Sequence, residues 1–199
     1  VLTFLAINGA RPADDFQVVE LARAIETDYI GSPCGLLDQV MIHFARAGMG
    51  THYRPGERRV THLPLGKGAD RFRLVCLDTG TTREGLEHAT YPRRRAECER
   101  LVELARRAGF PLGCLSDAYR QDLHGRIREA LAPDHPELCR RLAYLAGAQA
   151  RLGEMMAAWR RGDLARVGAL FRADGIGLRD DYRISGPELE SMCDIARTV

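Results

Sequence analysis

Tyr29-Ile30-Gly31-Ser32-Pro33-Cys34-Gly35-Leu36-Leu37-Asp38-Gln39 is the stretch whose reading decides the fold. A turn of small residues leads directly into Leu36 to Arg46, a run that can be helical, and an acid sits one turn inside it. The first backbone N–H groups of such a helix have no intrahelical acceptor and can meet a polar ligand. Asp38 projects near the same mouth, where a carboxylate can accept a proton from a hydroxyl. On spacing alone, a first-turn aspartate favoured by the helix dipole is the simpler reading.

Upstream, Val1 to Ile7 is apolar and uncapped, and it reads as the tail of a helix. Gly9 and Pro12 break the pattern. Asp14 and Asp15 stand at an N-cap position, and Phe16, Val19, Leu21, Ala22 and Ile25 give a helical face ending near Tyr29. Downstream, extended segments over Met49 to Arg54 and Arg59 to Leu63 flank Pro55-Gly56, a hairpin turn. Phe72 to Leu77 reads as a buried strand closed by Asp78-Thr79-Gly80. From Pro92 onward helices are expected over Arg94 to Ala108, Pro136 to Arg161, Leu164 to Ala173 and Pro187 to Ala196. The second of these carries Leu138, Leu142, Leu145, Leu152, Met156 and Trp159 on one core-facing stripe.

Two further segments can do chemistry. Asp78-Thr79-Gly80-Thr81-Thr82-Arg83 leaves the expected strand through a glycine loop, a common site rim. Arg83 there can hold the acid's geometry or neutralise a phosphoryl group, although composition alone favours a solvated loop arginine. In Ala89-Thr90-Tyr91-Pro92-Arg93-Arg94-Arg95-Ala96-Glu97-Cys98, Tyr91 precedes a proline at an expected helix start and presents a fixed aromatic hydroxyl. Taken alone, such a tyrosine more often staples the core. A solvated helix face accounts for the triple arginine as well as phosphate binding does.

Composition sets the bounds. The chain has 199 residues, 45% hydrophobic and 28% charged, which excludes collagen-like and disordered classes. A net charge of +2 from 29 basic and 27 acidic residues provides no general field for nucleic acid. Apolar runs fall short of the roughly 20 residues of a membrane span. Six scattered cysteines without a C-x-x-C pair, and histidines without ligand spacing, argue against disulfides or a bound structural metal. Reduced thiols with no leader segment predict a cytoplasmic protein.

The ordered set of motifs resembles the galactokinases of the GHMP small-molecule kinase superfamily. The resemblance rests on Gly31 to Gln39, then Arg83, then Tyr91-Pro92-Arg93-Arg94-Arg95 with Cys98. It continues through Arg161-Gly162-Asp163, Leu178-Arg179-Asp180-Asp181-Tyr182 and Ser185-Gly186-Pro187-Glu188-Leu189. It implies an α+β fold, with residues 1–65 finishing a mixed-sheet N-terminal lobe and 66–199 forming a largely helical C-terminal lobe. By the same resemblance Asp38 is the catalytic base toward the anomeric hydroxyl of galactose or a related sugar. Arg83 is then its electrostatic partner, and Cys34, Gly35 and Tyr91 line the sugar pocket. The implied partners are a small sugar and ATP with Mg2+, and neither nucleic acid nor membrane.

Departures from the family pattern are also visible. The N-terminal sugar-gripping signature, the glycine- and serine-rich phosphate loop expected before Val1 and the C-terminal glycine-rich motif do not occur in the sequence. Asp174-Gly175-Ile176-Gly177 stands where many relatives have a Ser-His step, and Glu84 replaces a residue that is often basic or polar. The expectation is a chain that does not turn over by itself. The rival expectation is a catalytically impaired sugar and nucleotide sensor acting through a protein partner.

Overall fold

The computed structural model describes residues 1–10, 12, 14–31, 34–68, 72, 75–80 and 86–198. The chain forms two compact units. One comprises Val1–Arg71 with Trp159–Asp163, the other Phe72–Ala158 with Leu164–Val199.

In the first unit, α1 (Leu2–Ile7) is followed by α2 (Asp15–Ala24), whose N-cap Asp14 accepts a hydrogen bond from the Gln17 backbone. The helix widens into a π turn over Ile25–Tyr29. After the turn at Gly31 comes α3 (Leu37–Phe44), then β1 (Met49–Arg54), a 3-10 turn over Pro55–Glu57 and β2 (Arg59–Pro64). The strands pair antiparallel with Tyr53 opposite Val60, as the Pro-Gly turn dictates. This hairpin is the sheet present among the described residues.

The core of this unit is small. Val18 and Val19 of α2, Val40 of α3 and Leu63 of β2 are buried, each worth about 1.5–3 kcal/mol relative to exposure. Val18 faces inward although the expected face omitted it, whereas Leu21 and Ile25 are exposed. Phe16 packs on Phe44 and Tyr53, with ring centroids 5.1 and 6.0 Å apart. Two polar ties fix α3 in place: His43 meets Asp15 at 3.0 Å, and His62 of β2 reaches the Phe44 carbonyl at 2.7 Å. The Gly66 N–H donates to the Trp159 carbonyl at 2.8 Å. A Cβ on Gly66 would collide with the Arg160–Gly162 backbone, so only glycine permits this approach.

The second unit is helical: α4 (Leu86–Arg107), α5 (Asp117–Arg120), α6 (His124–Leu131), α7 (Pro136–Arg161, its last turn counted with the first unit), α8 (Leu164–Gly177), a π turn over Leu178–Tyr182 and α9 (Pro187–Thr198). Leu101, Ala105, Leu112, Ile127, Leu138 and Leu142 build its core. Leu138 and Leu142 are buried on α7 as its stripe predicts, whereas Leu152 is exposed. Among the described residues no helix is long and apolar enough to cross a membrane.

Two expectations are corrected. Phe72 to Leu77 is not a buried strand in its described part: positions 72 and 75–77 are exposed and carry no strand pairing. An apolar run becomes a strand only when a neighbour takes its backbone hydrogen bonds. Tyr91-Pro92 does not begin a helix, because α4 starts at Leu86 and Pro92 lies inside it. There the proline leaves one upstream carbonyl without its helical donor.

Candidate functional site

The mouth of α3 is built by the turn before it. Leu36 is the N-cap residue and contributes no side-chain cap, so the first N–H groups of the helix have no side-chain acceptor from that position. Asp38 is the second residue of α3 and is exposed; Gly35 is exposed and Cys34 half-buried. Gln39, next to Asp38, is buried, and its Nε2 donates to Cys34 Sγ at 3.7 Å. Desolvation, with the Glu26 carboxyl beside it, pushes the Cys34 thiol above its ordinary value. The structure thus brings Cys34, Gly35 and Asp38 together at one helix start. Arg83 lies outside the described residues, as do Ser32 and Pro33 of the turn. Tyr91 belongs to the second unit, on α4, where it is 45% exposed.

The arginine-rich motif of α4 is not a solvated face throughout. Arg93 and Arg95 are exposed and pair with Glu97 and Glu99 one turn on. Arg94 is buried at 6% exposure and Arg141 of α7 at 3%. Both guanidinium groups hold the Glu97 carboxylate. Further donors reach backbone carbonyls in and just after the second motif, Arg94 to Arg183 at 3.1 and 3.2 Å and Arg141 to Asp181, and Arg141 also donates to the Glu137 carboxylate at 3.3 Å. Desolvation would raise the Glu97 carboxyl, but hydrogen bonds from Arg94 and Arg141 outweigh it and hold the group below the usual range. Arg183 itself takes a left-handed backbone, φ 55°, to turn its carbonyl inward.

Cys98 completes the clamp, its Sγ lying 3.8 Å from the Tyr182 hydroxyl. Burial pushes both the Cys98 thiol and the Tyr182 phenol up, so both stay protonated at neutral pH. At the departure from the family pattern, Asp174 accepts from Arg151 at 2.8 and 3.1 Å, and the Arg151 guanidinium lies over the Tyr144 ring. Burial and the Asp174 charge push the Tyr144 phenol up to about 12.

Two open grooves of about 430 and 460 Å3 flank α4. They are lined by residues such as Arg100, Glu103, Val102 and Leu115, and by neither Asp38 nor Tyr91. Sequence reasoning missed Gln39 and the buried pair Arg94 and Arg141. A glutamine beside an acid, or one arginine among three, carries no burial signal.

No protein-family model matches the chain. It is similar to galactokinases over nearly its whole length. The galactokinase of Chloroflexus aurantiacus is 32% identical over 196 residues, which cover 98% of this chain and 47% of that protein. The galactokinase of Streptomyces lividans is 29% identical over 181 residues, 91% of this chain and 44% of that one. The chain thus spans about half the length of the curated relatives it matches. A crystal structure of Lactococcus lactis galactokinase complexed with galactose superposes with a TM-score of 0.75 over 95% of this chain and 47% of that one, at 21% identity. The fold is the α+β fold of these kinases.

Proposed function

We propose that the chain is the central part of an ATP-dependent sugar 1-kinase acting on galactose or a related sugar. The observation that carries this reading is the 32% identity to a galactokinase across 98% of the chain. The first unit corresponds to the end of an N-terminal lobe near residue 65, and the second to a C-terminal lobe.

The proposed reaction moves the γ-phosphoryl group of Mg-ATP to the anomeric oxygen. As that oxygen attacks phosphorus in line, its proton passes to the Asp38 carboxylate, the bond from phosphorus to the β–γ bridging oxygen breaks, and ADP leaves. Placement of Asp38 in the first turn of α3 supports this role, because the positive end of the helix dipole favours the carboxylate there. Arg83 supplies positive charge for the base or the transferring group. Cys34, Gly35 and Tyr91 contact the sugar. Mg-ATP enters as co-substrate, with no protein ligand to the metal assigned.

The isolated chain is expected to phosphorylate no sugar. The test supplies in trans the two segments of the Chloroflexus relative that flank the matched half, and assays ATP-dependent galactose phosphorylation. Turnover in the mixture that disappears with Asp38→Ala, while galactose still binds, supports the reading. Undiminished turnover by Asp38→Ala removes Asp38 from the mechanism, and robust turnover by the chain alone shows a site built differently.

A further inference from the structure

Ladder pairing in the hairpin sets Arg54 directly opposite Arg59 and His52 directly opposite Thr61. Residues two apart on a strand share a face, so these four side chains stand together on one face. The other face carries Tyr53, packed on the Phe16 ring, and His62, which reaches the Phe44 carbonyl. The four residues therefore stand on the side away from α2 and α3. Arg58 of the turn is engaged elsewhere, its guanidinium lying over the Phe16 ring and meeting Glu20 at 3.2 Å.

Two cations directly opposite in an antiparallel pair repel. The hairpin answers with one carboxylate, Glu57 of the turn, which meets Arg54 at 3.2 Å and Arg59 at 3.0 Å. That leaves one positive charge over, and its effect is read at His52. Burial pushes the His52 imidazole below its ordinary value, Arg54 and Arg59 push it further the same way, and Glu57 opposes them. The ring nevertheless has an outlet for a second proton, because Nδ1 lies 3.5 Å from Thr61 Oγ1. In the imidazolium form Nδ1–H donates there, Nε2–H becomes a second donor, and the Thr61 hydroxyl is freed to donate its own proton.

We propose that this face of the hairpin binds a phosphate group, Arg54 and Arg59 donating to its oxygens while His52 takes up a proton from solvent. Planar guanidinium groups match the oxygen spacing of a tetrahedral oxyanion. Charge selects the ligand within that class. With His52 protonated the face carries two net positive charges, which match the two negative charges of a phosphate monoester or of free phosphate. A carboxylate or a phosphodiester brings only one. The site uses no residue of the α3 mouth, so it goes beyond the kinase reading and stands without it.

The test follows the His52 ring signal of the 199-residue chain by proton NMR from about pH 5 to about pH 8, in sodium chloride and in sodium sulfate of equal ionic strength. Sulfate is a dianion throughout that range, so its own titration adds nothing. Expected is a His52 midpoint raised in saturating sulfate by about 0.5 pH unit or more, which is a preference of the anion for the imidazolium form of about threefold or more. The anion accordingly binds more weakly as pH rises through that midpoint. An equal rise in chloride is screening alone and overturns the proposal, as does no rise at all. Arg54→Gln and Arg59→Gln lie at exposed positions. Each should raise the midpoint in chloride, because a repelling cation has gone, and each should lose the response to sulfate. A full sulfate response in both variants overturns the assignment; if neither folds, the contrast between sulfate and chloride in the parent chain decides. Calorimetry with inorganic phosphate and with methyl phosphate then separates the sources. Affinities within about threefold of each other fit a phosphorylated small molecule, binding of inorganic phosphate alone fits the free ion, and binding of neither overturns the proposal.

Discussion

The mouth of α3 and the clamp between α4, α7 and the 178–183 turn both include residues that carry the family resemblance, yet they are built in opposite ways. At α3 the acid is exposed, one thiol is half-buried, and a buried amide has one end without a hydrogen-bond partner among the described residues. In the clamp two buried guanidinium groups, a carboxylate and two backbone carbonyls satisfy one another. One region has hydrogen-bonding capacity left over and the other has spent it internally. Capacity left over is what a ligand needs, whereas internal satisfaction holds a backbone in shape. Motif residues can therefore be sorted into chemistry and architecture by whether their polar atoms already have partners.

That contrast breaks first at Glu97. Glu97→Ala leaves Arg94 without a carboxylate and Arg141 with only the half-exposed Glu137, and chemical denaturation should show a loss of about 2–4 kcal/mol from the second unit. A loss under about 1 kcal/mol would place the clamp with ordinary surface ion pairs. Acid should work in the same direction and less severely. The folded Glu97 carboxyl titrates below its ordinary 4.5, so the unfolded chain takes up the proton first as pH falls. The stability it contributes is complete above the unfolded value and is lost as pH drops through the folded one. Urea midpoints between about pH 6 and about pH 3 should fall, and Glu97→Gln should flatten part of that slope, the part left being due to other lowered carboxyls such as Asp117 and Asp180.

A smaller, steric probe is Gly177→Ala. Its Cβ would lie 2.7 Å from the Tyr144 ring, and overpacking of this kind costs about 1–3 kcal/mol. A thermal midpoint equal to the parent's would show that the ring moves aside freely. At the other pole, Asp38→Ala should change folding stability by no more than about 0.5 kcal/mol, since the side chain is exposed. A large destabilisation there would move Asp38 from the chemical to the architectural side of the comparison.

Legibility in the sequence followed how local the cause was. The ends of α7 were readable because Pro136 opens it and Gly162 closes it with a φ of 72°. The hairpin was readable from Pro55-Gly56 between two alternating runs. Phe72 to Leu77 misled because its apolar pattern describes a strand's faces and says nothing of who pairs with its edges. Arg94 could not be told from Arg93 and Arg95, since its burial depends on a carbonyl 89 positions away. The position of Asp38 on a first turn was legible, but the burial of Gln39 was not. Neighbours on a helix point about 100° apart, and which direction is inside is settled by packing rather than spacing.

The glycine contact at Gly66 makes the first unit discontinuous in sequence. Its backbone closes on the Trp159–Asp163 stretch, so residues 1–71 are by themselves an unfinished piece. During synthesis that piece must wait, its Gly66 contact unmade, while the whole intervening helical stretch emerges from the ribosome. Expression fragments that stop near residue 71 should therefore aggregate more readily than ones that extend past Asp163.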